Sequence, residues 1–204
     1  MLNAYAAGVF PMAERADDPA LFWCDPPERG ILPVGGLHVS RSMRRHLRSC
    51  GWQAAINRDF EAVIDGCADR AETWINAPLR RLYSALHEAG FAHSIAVYNG
   101  EGLIGGVYGI AIGGAFCAES MFSRRPNGSK AALIWLSDHL ARRGFTLWDT
   151  QFPTPHLASL GGQTITRAAY HARLRHALER APRFDAGGLP PAAQLVLQDR
   201  TQTS

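Results

Sequence analysis

The chain has 204 residues, 47% of them hydrophobic, enough to bury one sizeable core with at most a small appended lobe. Its formal charge is +3 and its isoelectric point near 8.8, so any polyanion binding must come from where the arginines cluster rather than from bulk charge. Cys24, Cys50, Cys67 and Cys117 form no Cys-x-x-Cys pair and no zinc-type spacing, which excludes a cysteine metal centre and leaves reduced thiols as the expectation.

The start, Met1-Leu-Asn-Ala-Tyr5, lacks the basic residue and long apolar core of an export signal. The proline- and aromatic-rich segment 1–36 reads as short strands and turns, a small N-terminal lobe ahead of a main domain at 37–204. Ser40 caps a predicted helix with Met43 and Leu47 inward, and Arg41, Arg44, Arg45 and Arg48 recur at i, i+3, i+4 and i+7 on its other side. Phe60, Val63, Ile64 and Cys67 mark a second helix. A third starts at the Asn76 cap with Pro78 in its first turn and stops at Gly90.

Ser94 to Tyr98, Leu103 to Ile112 and Ala115 to Met121, separated by Asn99-Gly100 and Gly113-Gly114 turns, read as an antiparallel meander. The longest uncharged run, Gly102 to Ala118, is glycine-rich and short of the ~20 residues a membrane span needs. A helix from about Ser129 to Arg143 buries Leu133, Leu136 and Leu140; a strand follows at Phe145 to Asp149, then a last helix from Arg167 to Arg180. The polar, proline-rich tail from about Pro182 is expected to be irregular and partly disordered. These elements amount to an α+β fold with a central, mostly antiparallel sheet. Their order of strand, basic loop, helix and strand is that of acetyltransferase-like, GNAT-type domains.

Three groupings carry chemistry. Glu119 ends an apolar strand, a place where a charge needs a partner or a task. Asp149 and Gln151 close another strand, a carboxylate and an amide able to orient a reacting amine or carbonyl. The arginine stripe, on a helix with no acidic residue, suits phosphate oxygens. Trp74 is the tryptophan whose polar surroundings best fit base stacking. His87-Glu88 lacks the second histidine of a zinc-protease helix, and Ser159 lacks a nucleophile elbow.

The segments Ala7-Gly-Val-Phe-Pro11, Leu37-His-Val-Ser-Arg-Ser-Met43, Thr73-Trp-Ile75, His87 to Ser94, Gly105-Gly-Val-Tyr-Gly109, Glu119 to Arg124, Asn127-Gly-Ser-Lys130, Asp149-Thr-Gln151 and His156 to Gly161 together resemble the leucyl/phenylalanyl-tRNA–protein transferases. The resemblance implies transfer of a Leu- or Phe-like amino acid from aminoacyl-tRNA to an N-terminal Arg or Lys of an acceptor protein, with no cofactor and no metal, marking the acceptor for N-degron degradation. It implies Asp149, Gln151 and Glu119 as catalytic residues and an apolar amino-acid pocket of Val107, Phe116, Leu133, Leu136, Leu140 and Trp148. It further implies that Trp74 stacks on the terminal adenosine while Arg41, Arg44, Arg45, Arg48 and Lys130 hold the tRNA 3′ end and acceptor stem. Met12 stands where the family usually has tryptophan, and Trp148 where it more often has an aliphatic residue. A cytoplasmic monomer away from membranes is expected. The competing readings are an acyl-CoA-dependent N-acetyltransferase of the same fold and a non-catalytic RNA-binding domain.

Overall fold

The computed structural model describes residues 1–185 and 187–195. Helix α1 (Leu2–Ala6) leads into a two-stranded antiparallel hairpin of β1 (Phe10–Met12) and β2 (Phe22–Cys24). The next strand, β3 (Glu28–Leu32), leaves this small unit and joins a seven-stranded sheet with β4 (Gln53–Ile56), β5 (Ala92–Asn99), β6 (Gly102–Ile112), β7 (Ala115–Ser123), β8 (Leu147–Gln151) and β9 (Gln163–Thr166). The strand order is β4-β5-β6-β7-β8-β3-β9. The lobe outlined at 1–36 therefore contains one strand, β3, that pairs inside the large sheet.

Every neighbouring pair in that sheet is antiparallel except β7 and β8. Parallel neighbours cannot be joined by a tight turn. Here the crossover is α5 (Gly128–Arg143), which ends where Gly144 takes the left-handed conformation, φ 82°.

Two of the central helices begin where a side-chain cap satisfies an early amide. Ser40 Oγ accepts from Met43 N at the start of α2 (Arg41–Ser49), and Asn76 Oδ1 accepts from Leu79 N at the start of α4 (Ala77–Glu88). Between them α3 (Phe60–Ala68) buries Phe60, Val63 and Ile64. After β8 come α6 (Pro155–Ser159), α7 (Arg167–Leu178) and α8 (Ala192–Leu195).

Alternation along the strands feeds two cores. Val107 and Phe116 join the side covered by α5 and α2, whereas Tyr108 and Cys117 join the side covered by α1, α3 and α4. A third, smaller cluster packs α7 against Ile31, Ala115 and Leu147. The expected central, mostly antiparallel sheet, the meander and the long helices are present. β4, α6 and β9 are too short for periodicity to announce.

In the tail, residues 182–185 and 187–191 carry neither helix nor strand, yet the segment is packed. Phe184 is 2% exposed, its ring stacked on Phe116 and His93, and its carbonyl accepts from His139 Nε2 at 2.6 Å. Trp135 Nε1 donates to the Pro190 carbonyl at 2.9 Å. Residues 196–204, the polar end of the predicted tail, lie outside the described residues. Replacing Phe184 with alanine should remove about 3 kcal/mol of stability. A lowered urea midpoint with an unchanged slope checks this; an unchanged midpoint would mean that the tail contributes nothing to the core.

Candidate active site

The parallel strands β7 and β8 pair only from Ala115↔Leu147 to Cys117↔Asp149. Beyond that point they part. Glu119 and Gln151 each lie two residues past the last pair, and their side chains bridge the gap, with Gln151 Nε2 donating to Glu119 Oε1 at 3.2 Å.

A bulge shapes each strand at this point. Tyr108 pairs with Ser120 and Gly109 with Ala118, which leaves Glu119 as the extra residue on β7. Gly30 pairs with Gln151 and Ile31 with Asp149, which leaves Thr150 as the extra residue on β8. Bulges break plain alternation and re-aim side chains. A glycine faces each of them: a Cβ on Gly109 would lie 2.3 Å from the Cys117 carbonyl oxygen, and one on Gly30 would lie 2.8 Å from the Phe152 backbone. Gln151 itself is held at φ 55°, a left-handed conformation that a side-chain-bearing residue keeps only when its surroundings enforce it. The enforcing contact is with Asp149, whose Oδ1 accepts from Gln151 N at 2.9 Å.

Asp149 is wholly buried. Arg29 meets its carboxylate with both prongs, Nε to Oδ1 at 2.9 Å and Nη2 to Oδ2 at 2.7 Å, and Tyr170 OH donates to Oδ2 at 3.0 Å. Among the described residues no cation contacts Glu119. Tyr5 OH donates to its Oε1 at 2.8 Å and Tyr83 OH to its Oε2 at 2.6 Å.

Burial pushes the Glu119 carboxyl up to about 7, against the pull of the Tyr83 and Tyr5 hydrogen bonds; nearby Asp149 adds to the rise and Arg29 opposes it. Burial, followed by the Glu119 charge, holds both phenols well above their ordinary value, so each remains a donor. A carboxyl that titrates near neutrality, hydrogen-bonded to a strained amide, is suited to managing a proton on an amine. Both side chains line a cavity of about 190 Å³, together with Phe10 and Met12 of β1, Trp74, and Leu157 of α6.

The family model described as leucyl/phenylalanyl-tRNA protein transferase matches residues 31–175, and the model of its N-terminal domain matches residues 1–27. The chain belongs to this family. The leucyl/phenylalanyl-tRNA–protein transferase of Paracoccus denitrificans is 62% identical over all of this chain and 96% of that protein. The transferase of the same name from Ruegeria sp. strain TM1040 is 55% identical over all of this chain and 97% of that protein. Among solved structures, L-PGS from Bacillus licheniformis aligns at 15% identity and a TM-score of 0.42, over 78% of this chain and 54% of that one. The chain is accordingly an aminoacyltransferase that uses aminoacyl-tRNA and a protein acceptor.

Within this leucyl/phenylalanyl-tRNA–protein transferase chain the structure brings together Glu119, Asp149, Gln151 and Trp74. Lys130 lies elsewhere, in a second cavity of about 260 Å³ that it shares with Ser40 and Met43 at the start of the arginine-bearing helix. Arg41, Arg45 and Arg48 are exposed on that helix, and Arg44 is half-buried with Nε donating to the Val39 carbonyl. The six apolar residues Val107, Phe116, Leu133, Leu136, Leu140 and Trp148 are at most 1% exposed and pack together in the α5-side core. None of them lines the cavity that holds Glu119, although Leu157 belongs to both.

Arg29, Tyr5, Tyr83 and Tyr170 escaped sequence reasoning. Only the arginine carried a readable signal, a charge inside the apolar run Arg29-Gly-Ile-Leu32.

Transfer is expected to fall as pH drops through about 7, where Glu119 takes up a proton. Tyr83→Phe removes a donor that favours the charged form, so the limb should move to higher pH; in Glu119→Gln it should give way to a limb set by the acceptor's own α-amine, ordinarily at about 7.7–8.0. Measuring kcat/KM against pH checks both, and an unaltered limb in Glu119→Gln would assign it to another group.

Proposed function

We propose that the gap between β7 and β8 is the transfer site, where the α-amine of an acceptor's N-terminal Arg or Lys attacks the ester carbonyl of leucyl- or phenylalanyl-tRNA. The new bond is the peptide C–N bond, and the bond broken is that between the acyl carbon and the ribose oxygen, which leaves with a proton. The single observation that carries this reading is the Glu119–Gln151 hydrogen bond across the parted strands. With Nε2 committed to Glu119, the Gln151 carbonyl oxygen is left to accept from the incoming amine. An amide is a poor base, so Gln151 orients, Asp149 holds it in its left-handed turn, and Glu119 receives the proton an ammonium must lose before it attacks.

Trp74 in the cavity wall supports stacking of the terminal adenosine beside the ester. The exposed arginines Arg41, Arg45 and Arg48, with Arg44 and with Lys130 close to the start of the same helix, support a track for acceptor-stem phosphates. The acyl side chain is assigned to the core of Val107, Phe116, Leu133, Leu136, Leu140 and Trp148. An apolar pocket separates ligands by about 1–3 kcal/mol per methylene, which suits a class of bulky side chains. Those six side chains are packed against one another, so admitting a further side chain requires some of them to move; of the six, Trp148 has an Nε1 with no hydrogen-bond partner among the described residues.

The lone parallel pair bridged by α5 supports an acetyltransferase-like architecture, with a small N-terminal lobe closing one wall of the site. No described helix is long and apolar enough to cross a membrane. We place the reaction in the cytoplasm, in a monomer. Addition of Leu or Phe would mark the acceptor for N-degron degradation.

Gln151→Ala should lower kcat on the order of 10²-fold, the usual effect of losing one preorganised polar group, with tRNA affinity kept. Single-turnover transfer from leucyl-tRNA to an Arg-initiated peptide, beside a filter-binding assay, measures both. Transfer from acetyl-CoA instead of charged tRNA would favour the N-acetyltransferase reading. Arg41→Ala with Arg45→Ala should weaken charged-tRNA binding and flatten its salt dependence by about two phosphate contacts; an unaltered slope of log K against log salt would remove the helix from the tRNA path.

A further inference from the structure

We infer that Arg29 is a positioning residue for transfer, acting through Asp149 to set the Gln151 turn and, by its other contacts, to hold the β1 wall against the same site. This rests on the site reading above and adds a residue to it. Arg29 is 1% exposed in a strand of the large sheet. Few folds bury a guanidinium so fully, because its hydration must be replaced group by group.

Its contacts divide between two parts of the chain. Toward the N-terminal segment, Nη1 donates to the Gly8 carbonyl at 3.0 Å, and the guanidinium carbon lies 4.6 Å from the centre of the Phe10 ring. Toward the main domain, the fork grips Asp149, Nη2 also donates to Tyr170 OH at 3.1 Å, and the Tyr170 ring lies 4.1 Å from the guanidinium carbon. Burial works against the charge, but the hydrogen bonds and charge of Asp149 outweigh it and hold the group above its ordinary value. The two family models end and begin at residues 27 and 31, and Arg29 stands between the segments they match, bonded to both.

The consequence for the site is geometric. Asp149 Oδ1 accepts from both Arg29 Nε and Gln151 N, so the fork fixes the oxygen that fixes the turn. Phe10, on the other side of Arg29, lines the cavity with Gln151 and Glu119. A single-point ammonium cannot reproduce a planar fork, its third bond to Gly8 and two ring contacts. Lysine at this position therefore keeps the charge and loses the geometry.

The test is a cycle of Arg29→Lys, Gln151→Ala and their combination, read as kcat and as KM for leucyl-tRNA with an Arg-initiated peptide. Arg29→Lys is expected to lower kcat on the order of 10²-fold, as small misplacements of reacting groups do, with KM for the charged tRNA within about twofold. On the Gln151→Ala background it should cost clearly less than on the wild type, because the share of its effect that runs through Gln151 is already gone and only the β1-wall share is left. Retained kcat in Arg29→Lys would overturn the inference, and so would a loss that adds in full to that of Gln151→Ala, the mark of a merely structural residue. Should Arg29→Lys fail to fold, Tyr170→Phe removes one hydroxyl from the same cage; a several-fold fall in kcat at constant KM is then expected, and wild-type kcat would overturn the proposal. If Gln151→Ala alone retains wild-type kcat, the site reading fails, a result distinct from failure of the Arg29 role.

Discussion

The parting of β7 and β8 after Cys117 and Asp149 is the constraint on which the rest of the structure depends. Up to that pair the strands satisfy one another's backbone groups. Beyond it, every polar group that faces the gap needs another partner or a ligand. The chain meets this with side chains: Asp149 turns back to the Gln151 amide, while Glu119 takes the Gln151 amide group and two phenols. The opening is thus lined with polarised groups and not closed by ladder hydrogen bonds, which is what the transfer site we propose there requires.

Holding the strands apart depends on elements distant in sequence. α5 forces the parallel relation by its length, and the bulges at Glu119 and Thr150 set where the side chains aim. Gly109 and Gly30 make the bulges possible because no Cβ fits there. Breaking the buried Arg29–Asp149 pair by removing one member would cost about 3–5 kcal/mol, far more than a surface pair, so the N-terminal segment is tied to the site by an interaction comparable to much of a small domain's stability.

The large elements were legible because their signals are local. α2 and α4 carry caps, apolar faces and stops, α5 carries an apolar face and the Gly144 stop, and β5 to β7 carry turns between apolar runs. Glu119, Asp149 and Gln151 stood out as polar residues at the ends of apolar strands, and the structure brings them together. Their relation was not legible. Alternation places Asp149 and Gln151 on one face, but a bulge and a left-handed residue intervene, and the link between them is a backbone N–H. The pairing of Arg29 with Asp149 spans 120 positions, and no periodicity predicts it. The polar composition of the tail likewise concealed Phe184, whose single ring is enough to seat an otherwise irregular segment.

The two carboxylates of the site are matched to opposite kinds of partner. Asp149 faces a guanidinium that saturates it by geometry as well as charge, together with a phenol and a backbone amide. Among the described residues Glu119 meets neutral donors alone, and burial leaves it titrating near 7. An acceptor amine arrives positively charged and must be neutral to attack. A carboxylate already neutralised by an arginine has little to offer it, whereas one surrounded by uncharged hydroxyls attracts the cation and has a proton affinity close to what the step needs. The division of labour we propose follows from placing the only buried arginine among the described residues on one side of the gap and two tyrosines on the other. Exchanging those partners would leave the hydrogen-bond count nearly intact and remove the proposed chemistry.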